Sequence, residues 1–135
     1  MFDNFSYLYV EDDPLSREIM EVAMVATMGI TRLATFEDSE AFMERLTALP
    51  ECPALILLDI HLKPHSGFDL LHMIRENPDY GDSRVIALTA SVMNEEVQRL
   101  KDSGFDGAIA KPIDVSVFPH LIERILTGES VWHIA

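Results

Sequence analysis

The sequence predicts a doubly wound parallel sheet of five strands with five helices, and three observations predict it. First, Leu55-Ile56-Leu57-Leu58 is four apolar residues in a row, ended by the carboxylate of Asp59. A run that short and that apolar reads as a strand buried on both faces, as in a parallel sheet flanked by helices. Second, strand and helix signals alternate five times along the chain, and parallel strands need helical crossovers. Third, chemically useful side chains stand just past several of the strand ends, the rim where open α/β sheets bind ligands.

The elements follow in order. Ser6-Tyr7-Leu8-Tyr9-Val10 is rich in β-formers and gives the first strand. Asp13 before Pro14 starts a helix as N-cap and first helical residue. Leu15, Ile19, Val22, Ala23 and Ala26 then recur at helical spacing as the stripe of an amphipathic helix, and Gly29 ends the run. Residues 30–34 form a weaker second strand. Phe42, Leu46 and Leu49 mark a second helix that stops before Pro50. Residues 54–58 are the third strand, and a loop carrying His61, Lys63, Pro64 and His65 leads to a helix with Leu70, Leu71 and Ile74 inward. Asn77-Pro78 ends that helix. Residues 85–88 are a fourth strand closed by Thr89; Met93, Val97 and Leu100 mark a fourth helix ending near Gly104. Residues 107–110 are a fifth, short strand ending at Lys111-Pro112, and Phe118, Leu121, Ile122 and Ile125 mark a last helix ending near Gly128.

The chain has 135 residues, enough for one core. Residues 1–128 are expected to form the domain and residues 129–135 a short C-terminal tail. That tail, Ser130-Val131-Trp132-His133-Ile134-Ala135, is apolar for a terminus; fraying and docking on the domain or on a second subunit, as a homodimer, both fit. The start shows no basic region followed by an apolar core, so no signal peptide is expected. No stretch has the apolar length needed to span a bilayer. Cys52 is the lone cysteine, which fits a reducing, cytoplasmic compartment. The net charge of −13, with 10 scattered basic residues, argues against direct binding to nucleic acid or to an anionic membrane.

Glu11 and Asp12 follow the first strand, Asp59 the third, Thr89 the fourth and Lys111 the fifth. The topology brings these ends to one rim, so three carboxylates, a hydroxyl and an ammonium share a cleft. Clustered carboxylates repel one another without a cation, and hard oxygen ligands select Mg²⁺ over zinc. Lys111 supplies a point charge suited to phosphate and Thr89 a hydroxyl donor. This set points to phosphoryl transfer, with a carboxylate able to act as nucleophile and form an aspartyl phosphate. Each residue alone has a plainer reading: Glu11 and Asp12 as a solvated loop, Thr89 as a strand-end hydroxyl bonded to backbone, Lys111 as a surface lysine. Their ordered conjunction favours the site.

The chain resembles the receiver domain of two-component response regulators. The matching pieces are Tyr9-Val10-Glu11-Asp12-Asp13-Pro14, Leu57-Leu58-Asp59-Ile60, Gly67, Leu88-Thr89-Ala90 and Ala110-Lys111-Pro112-Ile113. The resemblance implies a flavodoxin-like sheet of order 2-1-3-4-5. It makes Asp59 the phosphoacceptor, served by a sensor histidine kinase or histidine phosphotransfer protein and read by a separate output protein. Asp12 matches an acid that contacts Mg²⁺ directly, Glu11 one acting through water, and the backbone carbonyl of His61 a third protein ligand. Thr89 matches the hydroxyl that turns toward the phosphoryl group and Lys111 the lysine that pairs with it. Lys111-Pro112 matches a peptide that is often cis.

The pattern is marked in three places, one of them being His61 and Ser91, which stand two residues after Asp59 and Thr89 at positions that in the family influence dephosphorylation. Ala108 stands where the family usually has an aromatic three residues before the lysine, so a ring flip cannot relay the signal. Lys63 stands where a proline is usual, which allows the loop another path, one that could bring Lys63 near the phosphoryl group. His61 and His65 are read as solvated loop histidines. Three other readings stay open: a receiver-like interaction module that works without phosphorylation, a small hydrolase using an aspartyl phosphate, and a flavodoxin-like cofactor binder. The hydrolase needs a second acid just after Asp59, which Ile60 and His61 do not supply. The cofactor binder needs a phosphate-cradling loop where the acids sit.

Overall fold

The run that ends at Asp59 is β3 (Leu55–Asp59), an inner strand whose five residues are all buried. A computed structural model of the chain describes residues 2–91 and 93–134; Met1 and Ala135, the outer bounds of the two expected segments, lie outside them. Around β3 stand β1 (Tyr7–Val10), β2 (Leu33–Phe36), β4 (Arg84–Thr89), β5 (Gly107–Ala110) and β6 (Val131–His133). The sheet order is β2-β1-β3-β4-β5-β6, and every pairing is parallel. Between them run α1 (Pro14–Glu21), α2 (Phe42–Thr47), α3 (Gly67–Glu76), α4 (Asn94–Ser103) and α5 (Phe118–Leu126).

Strand alternation feeds two cores. Leu8, Val10, Ile56, Leu58 and Ala87 face the side covered by α2, α3 and α4. Tyr7, Tyr9, Leu55, Leu57 and Ile86 face the side covered by α1 and α5. Both faces are dry, which is why the strands read as continuous apolar runs. Helix ends follow their local chemistry. Asp13 caps α1, its carboxylate accepting from the Ser16 N–H at 2.9 Å, with Pro14 as first helical residue. Ser66 and Asp69 form a reciprocal capping box at the start of α3.

Four expectations are corrected. The sheet has six strands, not five: β6 pairs with β5 in register Gly107↔Val131, Ala108↔Trp132, Ile109↔His133. Val131 is buried among the side chains of α5, and Arg84 donates to the carbonyls of Gly128 and Glu129 just before the strand. The first helix presents another face. Met20, Ala23 and Met24 are buried, Ile19 is half-buried, and Leu15, Val22 and Ala26 are exposed. Apolar residues cover so wide an arc there that spacing alone does not choose the inward stripe. The helix also continues beyond α1 as π-helical turns over Val22–Thr27, which shifts its phase. The second strand starts later than residue 30. Gly29 turns with φ +71°, and the Ile30 N–H is used to cap the helix at Met24 O. Finally, Met93, expected as the first mark of the fourth helix, is exposed and stands as N-cap just ahead of α4.

Candidate functional site

Register delivers the site. Val10 pairs with Leu58 and Asp59 with Leu88, so Glu11 and Asp59 emerge side by side. The ladder continues one residue past the strands. The Glu11 N–H donates to Phe36 O at 3.0 Å, Ile60 N–H to Leu88 O at 3.2 Å and Lys111 N–H to Thr89 O at 2.8 Å. Each functional residue therefore hangs from a fixed backbone rather than a free loop. Gly67 is required beside them. A Cβ there would sit 2.6 Å from Asp59 O, so only glycine lets α3 start against the end of β3.

Lys111 draws the acids together. Its Nζ lies 2.8 Å from Glu11 Oε1 and 3.1 Å from Asp59 Oδ1, joining residues far apart in sequence. Glu11, Asp12 and Asp59 each offer a carboxylate oxygen, all within 4.8 Å of one another. Glu11 is fully buried and Asp59 nearly so, whereas Asp12 is exposed at the mouth. Glu11 has two more partners that the sequence reading missed. Tyr9 donates its hydroxyl to Oε1 at 3.3 Å and the Asp13 N–H donates to Oε2 at 3.4 Å. Arg17 donates to the Glu11 backbone carbonyl at 3.0 Å. Tyr9 was legible in principle, since residues two apart on a strand share a face.

Burial pushes the Glu11 carboxyl above its usual range; the Lys111 hydrogen bond opposes this and the charge of Asp59 adds to it. For Lys111 burial pulls downward, but the bonds and charges of Glu11 and Asp59 prevail and its ammonium is held above its ordinary value. Three carboxylates against one ammonium leave two negative charges uncompensated. A buried carboxylate reluctant to ionise, in an all-oxygen cluster, is the donor set a hard divalent cation satisfies, and it fits Mg²⁺.

Thr89 lies at the same rim but does not touch the acids. Its hydroxyl is fully buried, accepts from the Ser91 N–H at 3.0 Å and donates to Ser91 O at 3.3 Å. His61 opens the loop after Ile60 with its side chain exposed. Lys63 is exposed too, and among the described residues it forms no ion pair with Asp59. Both Lys63-Pro64 and Lys111-Pro112 are cis. Sequence reading also missed Ser39, fully buried and bonded to the loop after β3.

Comparison with known proteins decides the family. The model of the response regulator receiver domain matches residues 7–123. The chain belongs to the response regulator receiver family. Receiver domains are signalling domains that work with histidine kinases or phosphotransfer proteins. This receiver is 30% identical over 120 residues to the polar-differentiation response regulator DivK of Brucella ovis, covering 89% of this chain and 92% of DivK. It is 28% identical to the peroxide stress-activated histidine kinase mak1 of Schizosaccharomyces pombe, covering 96% of this chain but 8% of that kinase. A nitrate/nitrite response regulator homologue of Haemophilus influenzae is 28% identical, and the match covers 61% of its length. The same domain thus occurs almost alone and inside longer proteins. Among solved structures, a response regulator of Chloroflexus aurantiacus superposes with TM-score 0.81 at 20% identity, covering 91% of this chain and 98% of that one. The receiver domain of a histidine kinase from Syntrophus aciditrophicus superposes at 0.78 with 25% identity, covering 92% and 91%. Among the described residues no helix is long and apolar enough to cross a membrane.

Proposed function

We propose that this receiver accepts a phosphoryl group on Asp59 from the phosphohistidine of a sensor histidine kinase or histidine phosphotransfer protein. A carboxylate oxygen of Asp59 attacks phosphorus, the phosphorus–nitrogen bond of the donor breaks, and its electron pair returns to the imidazole nitrogen. The observation that carries this reading is the Lys111 ammonium held between Asp59 and the buried Glu11. Placed there, it neutralises phosphoryl oxygens arriving at Asp59. Glu11, Asp12, Asp59 and the backbone carbonyl of His61 would hold Mg²⁺, which when bound screens the carboxylates from the incoming phosphoryl group. Thr89 supplies a hydroxyl once it turns from Ser91. That costs two hydrogen bonds of about 1 kcal/mol each, of the order a new charge-assisted bond returns.

We further propose a freestanding cytoplasmic receiver of residues 1–128 on which the 129–135 segment is docked as β6, and whose phosphorylated form binds a separate output protein. The near-complete overlap with DivK supports this, as does an acidic surface unsuited to nucleic acid. With a methyl group at Ala108, backbone and loop shifts relay the change to the face of α4, β5 and α5.

Incubation with acetyl phosphate and Mg²⁺, read by intact mass, tests the acceptor. Wild type gains one phosphoryl group and Asp59→Asn gains none. Equal labelling of the two removes Asp59 from the mechanism.

A further inference from the structure

The segment 61–65 has no regular secondary structure, yet it begins at the phosphoryl site. Its near end is closed by the Gly67 N–H donating to Ile60 O at 2.9 Å, and Leu62 is buried in the core beneath it. Its far side is held by one residue from another connection. Ser39, between β2 and α2, donates its N–H to Lys63 O at 3.2 Å. Its Oγ donates to His65 O and accepts from the His65 N–H, both at 2.7 Å. Ser39 is completely buried, so water cannot stand in for its hydroxyl.

The connection that carries Ser39 is itself braced. Ala41 takes φ +46°, a left-handed conformation costly for a residue with a Cβ. Asp38 Oδ1 accepts from the Glu40 N–H at 2.9 Å. Arg45 Nη1 donates to Asp38 Oδ1 at 2.8 Å and to Glu40 O at 2.6 Å, with its guanidinium stacked 4.2 Å over the Phe36 ring. Ser39 is thus presented to the 61–65 loop from a connection that is itself held in one conformation.

We propose that Ser39 is a positioning residue for the ion site: by fixing Lys63 and His65 it sets the path of 61–65, and with it the direction of the His61 carbonyl. This rests on the reading of the rim as an Mg²⁺-dependent phosphoacceptor site. A backbone ligand has no rotamers, so its aim is decided by the residues that pin the chain around it. Pinning of this kind is the outer-shell support that tunes metal affinity.

The test compares Ser39→Ala with Ser83→Ala. Ser83 is another buried serine, whose Oγ donates to Pro53 O at 2.6 Å, at the amino end of the strands and remote from the rim. Mg²⁺ affinity is measured by calorimetry, and His65 amide exchange is followed in Mg²⁺-free protein. Ser39→Ala weakens Mg²⁺ binding roughly tenfold and speeds His65 exchange, Ser39→Thr restores most of both, and Ser83→Ala leaves both unchanged. At saturating Mg²⁺, Ser39→Ala labels on Asp59 to the wild-type extent. Wild-type Mg²⁺ affinity in Ser39→Ala, or an equal loss in Ser83→Ala, overturns the positioning role while leaving the acceptor intact. Wild type that binds no Mg²⁺ and does not label overturns the reading of the site, and this role with it.

Discussion

Replacing Gly107 with alanine is a sharp test of the sixth strand. In an unconstrained strand the change favours the folded state, because alanine loses less backbone entropy than glycine, by roughly 0.5–1 kcal/mol. Here the added Cβ would collide with Val131 O and lie 3.0 Å from Val131 N and 3.1 Å from Val131 C. All three are backbone atoms, so no side chain can rotate away; β6 must shift by more than an ångström or leave. Detachment sets the ceiling on the loss. It returns Val131 from full burial to water, about 1.5–3 kcal/mol, and breaks a few edge hydrogen bonds of about 1 kcal/mol each. Regained chain entropy at about 1 kcal/mol per residue offsets part of this. We expect Gly107→Ala to lose about 2 kcal/mol, opposite in sign to the generic effect. Urea denaturation gives the energy, and Trp132, the single tryptophan, gives the location: its emission shifts red under native conditions as the ring leaves the fold. In a chain truncated after Gly128 the same substitution becomes neutral or stabilising, closing a double-mutant cycle. Wild-type stability and emission in Gly107→Ala, or an equal loss in the truncated chain, would refute the account of β6.

Other consequences are as direct. Lys111→Met leaves the buried Glu11 without its 2.8 Å partner and should cost about 3 kcal/mol in Mg²⁺-free urea denaturation, with much of the loss recovered on adding Mg²⁺; an unchanged midpoint contradicts the charge balance drawn for the site. Gly67→Ala presses a Cβ to 2.6 Å from Asp59 O and should cut acetyl phosphate labelling at saturating Mg²⁺ well below wild type; full labelling would show that α3 can back away freely. All three tyrosines have phenols held above the usual value of 10 by burial, Tyr7 to about 12. Their raised values add stability that is complete below pH 10 and is lost as pH climbs through the folded-state values, so phenolate absorbance should appear together with the loss of circular dichroism; a phenolate step near pH 10 in folded protein contradicts this.

Most of the site was readable because it depends on strand ends. Once Leu55–Asp59 is an inner parallel strand, topology alone sends Glu11, Asp59, Thr89 and Lys111 to one rim. Contacts made across connections were not readable. Nothing local distinguishes Ser39 from any other loop serine, because its partners Lys63 and His65 come from a different crossover. The inward face of the first helix and its π-helical continuation was legible only in part: Ala23 is buried as spacing favoured, but Met20 and Met24 fill the core there, while the branched residues Leu15 and Val22 are exposed. The second strand was placed too early because Ile30 is apolar and β-branched, yet its N–H serves the preceding helix. In each case a local preference lost to a hydrogen bond or a packing contact supplied from elsewhere.

The edge of the sheet shows the same rule in its strongest form. Ala108 reads as a deficit, a methyl where the family places a ring. Its register partner across the last crossover is Trp132, whose ring packs on the core cluster that contains Ala108 and lies 5.3 Å from the Lys101 ammonium of α4. The aromatic bulk on that face of the edge therefore comes from the neighbouring strand. This arrangement needs β6 pressed close against β5, which needs glycine at 107, and it needs the chain turned into the strand, which Arg84 secures through the carbonyls of Gly128 and Glu129. Ala108, Gly107, Arg84 and Trp132 look unrelated in sequence, and none of them alone predicts a strand. Together they form one packing solution, in which small residues on β5 and an aromatic on β6 are complements of each other.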